Sequence, residues 1–155
     1  MTDRVAERYR LLWIDDHAAD VQWLRDALQL LGERIDLVVL TSPPQAVIWL
    51  QFGKPVDLLV ADLRSHPGDD LQLILRACAC NPGPAVPAIL TGGSFGQAPH
   101  ASDRPGLDLP FFVKPSTWLG YVRLAREIFI AFDACSRYPG IDVARMLSAT
   151  MLRSD

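Results

Sequence analysis

Lysine is almost missing from this chain. Of 15 basic residues only Lys54 and Lys114 are lysines, so 15 − 2 = 13 are arginines. Cysteine and histidine are as scarce, with Cys78, Cys80 and Cys135 against His17, His66 and His100. Cys78-Ala79-Cys80 lacks the two-residue spacing of a redox or zinc-knuckle motif, and no histidine pairs with a cysteine at ligand spacing. The cysteines read as small, buried side chains on helices. Also missing is any apolar run near the roughly 18 residues of a membrane span. The first ten residues, Met1 to Arg10, are polar and carry no signal-peptide core. A cytoplasmic chain with no membrane partner is the expectation. The net charge of −3 gives no general pull toward nucleic acid or anionic lipid.

What is there is an ordinary globular composition, 50% hydrophobic and 21% charged, in 155 residues. That is enough for one domain with a real core. Short apolar runs alternate with segments of helical period. Arg10–Ile14 reads as a strand, then Ala18–Leu31 as a helix with Val21, Leu24, Leu28 and Leu31 on one stripe and Gly32 as its stop. Ile35–Leu40 is a second strand. Ser42 caps a helix that starts with Pro43-Pro44 and runs to about Phe52. Val56–Ala61 is a third strand, and Asp70–Cys80 a third helix with Leu71, Ile74, Leu75 and Cys78 inward.

Ala88–Leu90 is a fourth strand ending at Thr91-Gly92-Gly93, and Phe111–Val113 a fifth. Ser116 caps a last long helix, Thr117 to about Ala134. Between these strands, residues 94–109 hold Gly96, Pro99, Pro105 and Gly106 and no helical stripe. An interior proline costs a helix roughly 3 kcal/mol, so a loop, or a shortened fourth helix, is expected there. Residues 136–155 form a tail in which Val143, Leu147 and Met151 repeat every fourth position, the pattern of a short amphipathic helix.

Strands alternating with helices indicate parallel βαβ units. Five of them make an α/β doubly wound sheet, for which the flavodoxin-like order 2-1-3-4-5 is the economical solution. Right-handed crossovers then bring all strand C-termini to one edge. Asp15, Asp16, Asp62, Thr91 and Lys114 all end strands, so they share that edge. A lysine closing an apolar strand is a costly place for a charge, and an ammonium is a compact point charge unlike a guanidinium. Lys54, in a Gly-Lys-Pro turn, is simply solvated.

Carboxylates with one amine suit Mg²⁺ and phosphoryl chemistry. Asp62 is the candidate nucleophile, able to hold a phosphoryl group as an acyl phosphate. Mg²⁺ would neutralise the meeting of anion with anion, held by Asp16 and Asp62, with Asp15 acting through water or aligning the site. The backbone carbonyl of Arg64 is a further candidate ligand. Lys114 and Thr91 would each contact a phosphoryl oxygen. Each residue alone has a plainer reading: a helix cap for Asp15 or Asp16, a turn for Thr91.

Taken together, Asp15-Asp16, Asp62, Thr91 and Lys114-Pro115 resemble the receiver domain of two-component response regulators, the CheY-like family. The separations 62 − 16 = 46, 91 − 62 = 29 and 114 − 91 = 23 resemble it too. The likeness covers residues 8–135 as a receiver domain. It implies a phosphoacceptor, Asp62, charged from a sensor histidine kinase or phosphotransfer protein. It also implies a phosphorelay signalling role rather than an enzyme's, and an aromatic switch at Phe111, which here lacks a hydroxyl. The chain departs from the family at His66 and Asp70, where proline and glycine are usual, with Pro67-Gly68 displaced by one. It departs again at residues 94–109, part of the surface that receivers show their partners.

Two other readings stay open. One is a degenerate receiver serving as a phosphorylation-independent interaction or dimerisation module. The other is a phosphatase with an aspartyl intermediate, for which Arg64 stands where an acid is usual. DNA binding is not expected, since 155 − 135 = 20 residues after the last long helix are too few for a helix-turn-helix unit. In that helix Ile130 continues the polar face marked by Arg123 and Glu127, so the tail or a second copy of the chain is its expected cover, if it has one.

Overall fold

The computed structural model describes residues 8–32, 34–62, 72–73, 76, 78–79, 86–93, 110–138 and 140–152. Five strands, β1 (Tyr9–Ile14), β2 (Ile35–Leu40), β3 (Leu58–Asp62), β4 (Ala88–Gly92) and β5 (Phe111–Val113), form one sheet in the order 2-1-3-4-5. Every pairing is parallel. The central strands are apolar along most of their length because helices cover both faces. Alternation splits them: Leu11 and Trp13 of β1 enter one core layer, Leu12 and Ile14 the other.

The first layer is built against α1 (Ala18–Leu31), α3 (Trp118–Arg137) and α4 (Val143–Leu152); α2 (Pro43–Phe52) packs on the second. In α1 the buried stripe is Val21, Leu24, Ala27 and Leu28, while Leu31, the last helical residue, is exposed. Gly32 ends the helix at φ +122°, a conformation L side chains avoid. Ser42 sits at the cap position of α2 but makes no side-chain cap bond; Pro43 and Pro44 need no amide partner there.

The cap of α3 is Thr117, not Ser116: its Oγ1 accepts from the Gly120 amide at 3.0 Å. The helix also runs to Arg137, past the expected end near Ala134. β3 starts at Leu58 rather than Val56 and takes in Asp62, and β4 extends through Thr91 to Gly92. Of the Asp70–Cys80 helix, the described positions 72, 73, 76, 78 and 79 are helical, and Cys78 is buried in the second layer. Leu71, Ile74 and Leu75, expected inward, lie outside the described residues, as do Cys80 and residues 94–109.

The tail helix α4 packs against α3, β4 and β5, with Val143, Ala144 and Leu147 completing the first layer. It leaves Ile130 open, at 41% exposure. No helix among the described residues is long and apolar enough to cross a membrane.

Candidate functional site

Four of the five strands, β1, β3, β4 and β5, deliver a polar side chain to the C-terminal edge of the sheet. Asp15 directly follows β1, and its amide still bonds to the Leu40 carbonyl of β2 at 2.9 Å. Lys114 directly follows β5, its amide bonded to Gly92 of β4 at 2.8 Å. Asp62 and Thr91 are register partners on β3 and β4, so their side chains project to the same side of the sheet. The backbone ladder thus fixes four groups before any side chain is considered. Asp15, Asp62, Thr91 and Lys114 are all buried, and they are the polar residues buried among those described.

The Lys114 ammonium is the hub. It donates to Asp15 Oδ2, lies 3.1 Å from Asp62 Oδ2 and 2.9 Å from Asp20 Oδ2. The Trp13 indole, two residues before Asp15 on the same strand face, donates to Asp15 Oδ2 at 3.2 Å. The other oxygen of Asp15 accepts from the His17 amide at 2.9 Å. Burial pushes the Asp15 pKa up, but the Lys114 bond and charge, the His17 amide and the Trp13 indole outweigh it and hold the carboxyl below its ordinary value. Burial likewise pushes Lys114 down, and its bonds to Asp15 and Asp20 with the charges of Asp15 and Asp62 carry it above its ordinary value. Both groups stay ionised at neutral pH.

Asp16 differs from Asp15. Its side chain is about half exposed, and its Oδ1 lies 2.9 Å from His17 Nδ1. Phe111 opens β5, half-buried against the second core layer and paired in register with Leu90. Arg64, His66 and Asp70 lie outside the described residues. The structure therefore brings Asp15, Asp16, Asp62 and Lys114 to one rim with Thr91 beside Asp62.

Two members of the rim escaped the sequence reading. His17 Nδ1 lies 3.0 Å from Asp15, 2.9 Å from Asp16 and 3.7 Å from Asp62. Asp20 reaches back to Lys114 from the first turn of α1. The signal for both was helix-start spacing: His17 is the N-cap, and the third residue of a helix folds back over its cap.

These residues fit a hard divalent cation. Three carboxylates (Asp15, Asp20, Asp62) face one ammonium and a fourth, Asp16, joins the rim through His17; cations are held by such oxygen ligands. Ligand atoms of Asp15, His17 and Asp20 all lie within 4.8 Å of one another. Thr91 Oγ1 is buried with no hydrogen-bond partner beside Asp62, a donor placed for an oxygen not supplied by the described residues. By contrast Cys78 is inert: burial pushes its thiol up to about 11.

No known family model matches the chain, and no curated protein matches it in sequence. Solved structures do match in fold. A CheY-like receiver domain protein from Methanospirillum hungatei JF-1 aligns with a TM-score of 0.59 at 17% identity, over 84% of this chain and 98% of that one. The phosphorylated cyanobacterial phytochrome response regulator RcpA aligns at 0.60 and 17%, over 78% and 91%. A chain from the R. sphaeroides structure of the CheA3 P1 domain in complex with CheY6 aligns at 0.60 and 18%, over 85% and 99%. From strand order to helix placement, this chain has the fold of the CheY-like response-regulator receiver domains.

Proposed function

We propose that the chain is a phosphoryl-accepting signalling receiver spanning residues 8–135, with residues 136–155 as an added tail. A carboxylate oxygen of Asp62 attacks the phosphorus of a phosphohistidine on a histidine kinase or phosphotransfer protein. The P–N bond breaks with its electron pair going to nitrogen, the donor ring, protonated on its other nitrogen, leaves as neutral imidazole, and Asp62 becomes an acyl phosphate. The observation that carries this reading is the buried Lys114 ammonium shared by Asp15, Asp20 and Asp62. Buried ion clusters are poor stabilisers, so their retention at one strand edge favours a chemical role.

Lys114 would turn from carboxylate to phosphoryl oxygen, and the Thr91 hydroxyl would find its missing acceptor in another. Mg²⁺, when bound by Asp16 and Asp62 with the Arg64 carbonyl and with Asp15 through water, supplies the remaining charge neutralisation. Phe111 would report the change by repacking at the edge of the second layer. The site acts as an acceptor rather than as a turnover enzyme, in the cytoplasm where kinase domains meet it.

The test is intact-mass measurement after incubation with Mg²⁺ and a small phosphodonor such as acetyl phosphate. One added phosphoryl mass on the wild type and none on Asp62→Asn is the expected result. No addition, or equal addition to both, refutes it. The degenerate-module reading draws on His17 Nδ1 lying among three carboxylates. Partner binding that persists undiminished in Asp62→Asn would favour it.

A further inference from the structure

His17 is the unusual member of this rim. Its ring nitrogen Nδ1 stands 3.0 Å from Asp15 Oδ1 and 2.9 Å from Asp16 Oδ1, with Asp62 Oδ2 at 3.7 Å. An imidazole among carboxylates is a mixed nitrogen–oxygen ligand set, not the all-oxygen set that suits Mg²⁺. Zn²⁺ and other borderline ions take such sets readily. We propose that His17 is a direct ligand in the cation site, and that it tilts the site toward a transition ion of the Zn²⁺ class over Mg²⁺. The proposal rests on the reading that this rim binds a cation at all.

Four features support it, three within the cluster and one, Thr91, beyond it. Asp15 is held rigid by Trp13, Lys114 and the His17 amide, so one oxygen ligand is preorganised beside the ring. His17 and Asp16 are each about half exposed, so both can reorient around an incoming ion without disturbing the core. Thr91 Oγ1, wholly buried and without a partner, stands in register with Asp62 on the same side of the sheet at this edge. Asp20 adds a carboxylate within the same 4.8 Å group. An ion here would be anchored by Asp15, Asp16 and His17 at the start of α1.

The experiment uses the full chain, stripped with chelator, and isothermal calorimetry with Zn²⁺ alone and with Mg²⁺ alone. Any carboxylate site favours Zn²⁺ to some degree. The decisive reading is therefore how His17→Asn changes the ratio of the two affinities. Loss of a direct nitrogen ligand should weaken Zn²⁺ by at least about tenfold, the least that even changes around a ligand cost, with Mg²⁺ within about threefold of wild type. Asp16→Asn should weaken both ions, which shows that the two are read at one site. An unchanged ratio in His17→Asn overturns the proposal. So does Zn²⁺ binding that survives His17→Asn and Asp16→Asn combined, because the zinc then sits elsewhere. Matching circular dichroism melts keep folding out of the comparison. Failure of the phosphoacceptor reading looks different: the wild type gains no phosphoryl mass in Mg²⁺, whatever the affinity ratio does.

Discussion

β3 carries an aspartate at each end, and the two live in different worlds. Asp57, just before the strand, is exposed; its Oδ2 accepts from the Arg10 amide at 2.7 Å. Arg10 then reaches Asp36 at 3.0 Å and the Pro55 carbonyl at 2.8 Å. That rim is a partly exposed clasp tying β1, β2 and the entry to β3. Asp62, at the other end, is fully buried, with the Lys114 ammonium 3.1 Å and the His17 ring nitrogen 3.7 Å from its Oδ2. Similar groups, carboxylates with a cation, thus sit in high dielectric at one end and low dielectric at the other. Wet pairs contribute little and cost little, whereas buried ones carry a desolvation cost that stability alone does not justify. The contrast points to the C-terminal rim as the place of chemistry and to the N-terminal rim as scaffold.

The largest expected effect separates the two aspartates directly. Asp62→Asn removes all phosphoryl uptake from acetyl phosphate, whereas Asp57→Asn labels as the wild type does. Equal labelling of the two variants by intact mass would erase the distinction. Next comes the paired cation. Lys114→Met leaves buried carboxylates uncompensated and should lose about 3 kcal/mol in urea unfolding with chelator present. Arg10→Met should lose about 0.5 kcal/mol, the value of a wet pair. Comparable losses would show that both rims are structural.

The pH dependence sharpens the same contrast. Asp15 is held below its ordinary 3.8, so its contribution is present above that value and is lost as pH falls through the lower folded value. Lys114 is held above its ordinary 10.5, so its contribution is present below that value and is lost as pH rises through the higher folded value. Denaturant midpoints should therefore fall at both extremes. The alkaline fall should shrink in Lys114→Met but persist in Arg10→Met; equal alkaline limbs in all three proteins would contradict the assignment. The smallest effect concerns Thr91. Thr91→Val removes an unpartnered buried hydroxyl and should raise stability by about 1 kcal/mol while reducing phosphoryl uptake. A loss of stability would mean that the hydroxyl already has an acceptor.

The sheet was legible because its signals are local and repeated. Apolar runs such as Leu58–Ala61 and the stripe Val21, Leu24, Leu28 mark buried elements, and parallel topology then puts Asp15, Asp62 and Lys114 on one edge without further information. What stayed hidden depends on side-chain direction. Ser116 and Thr117 both carry a hydroxyl at the start of α3, and only backbone geometry selects Thr117 as the cap. His17 and Asp20 look like ordinary helix-start residues, and their approach to Asp16 and Lys114 requires the first turn of α1 to lean over the rim. The spacing of Val143 and Leu147 indicated an apolar face but not that it would close over β4 and β5.

The most direct test of the account is to locate the phosphoryl group itself. Borohydride reduces an aspartyl phosphate to homoserine, so the wild type treated with Mg²⁺ and acetyl phosphate, then borohydride, can be mapped peptide by peptide. Homoserine is expected at position 62 and nowhere else. Homoserine at position 16, 20 or 57, or none at all from a folded protein, would contradict it.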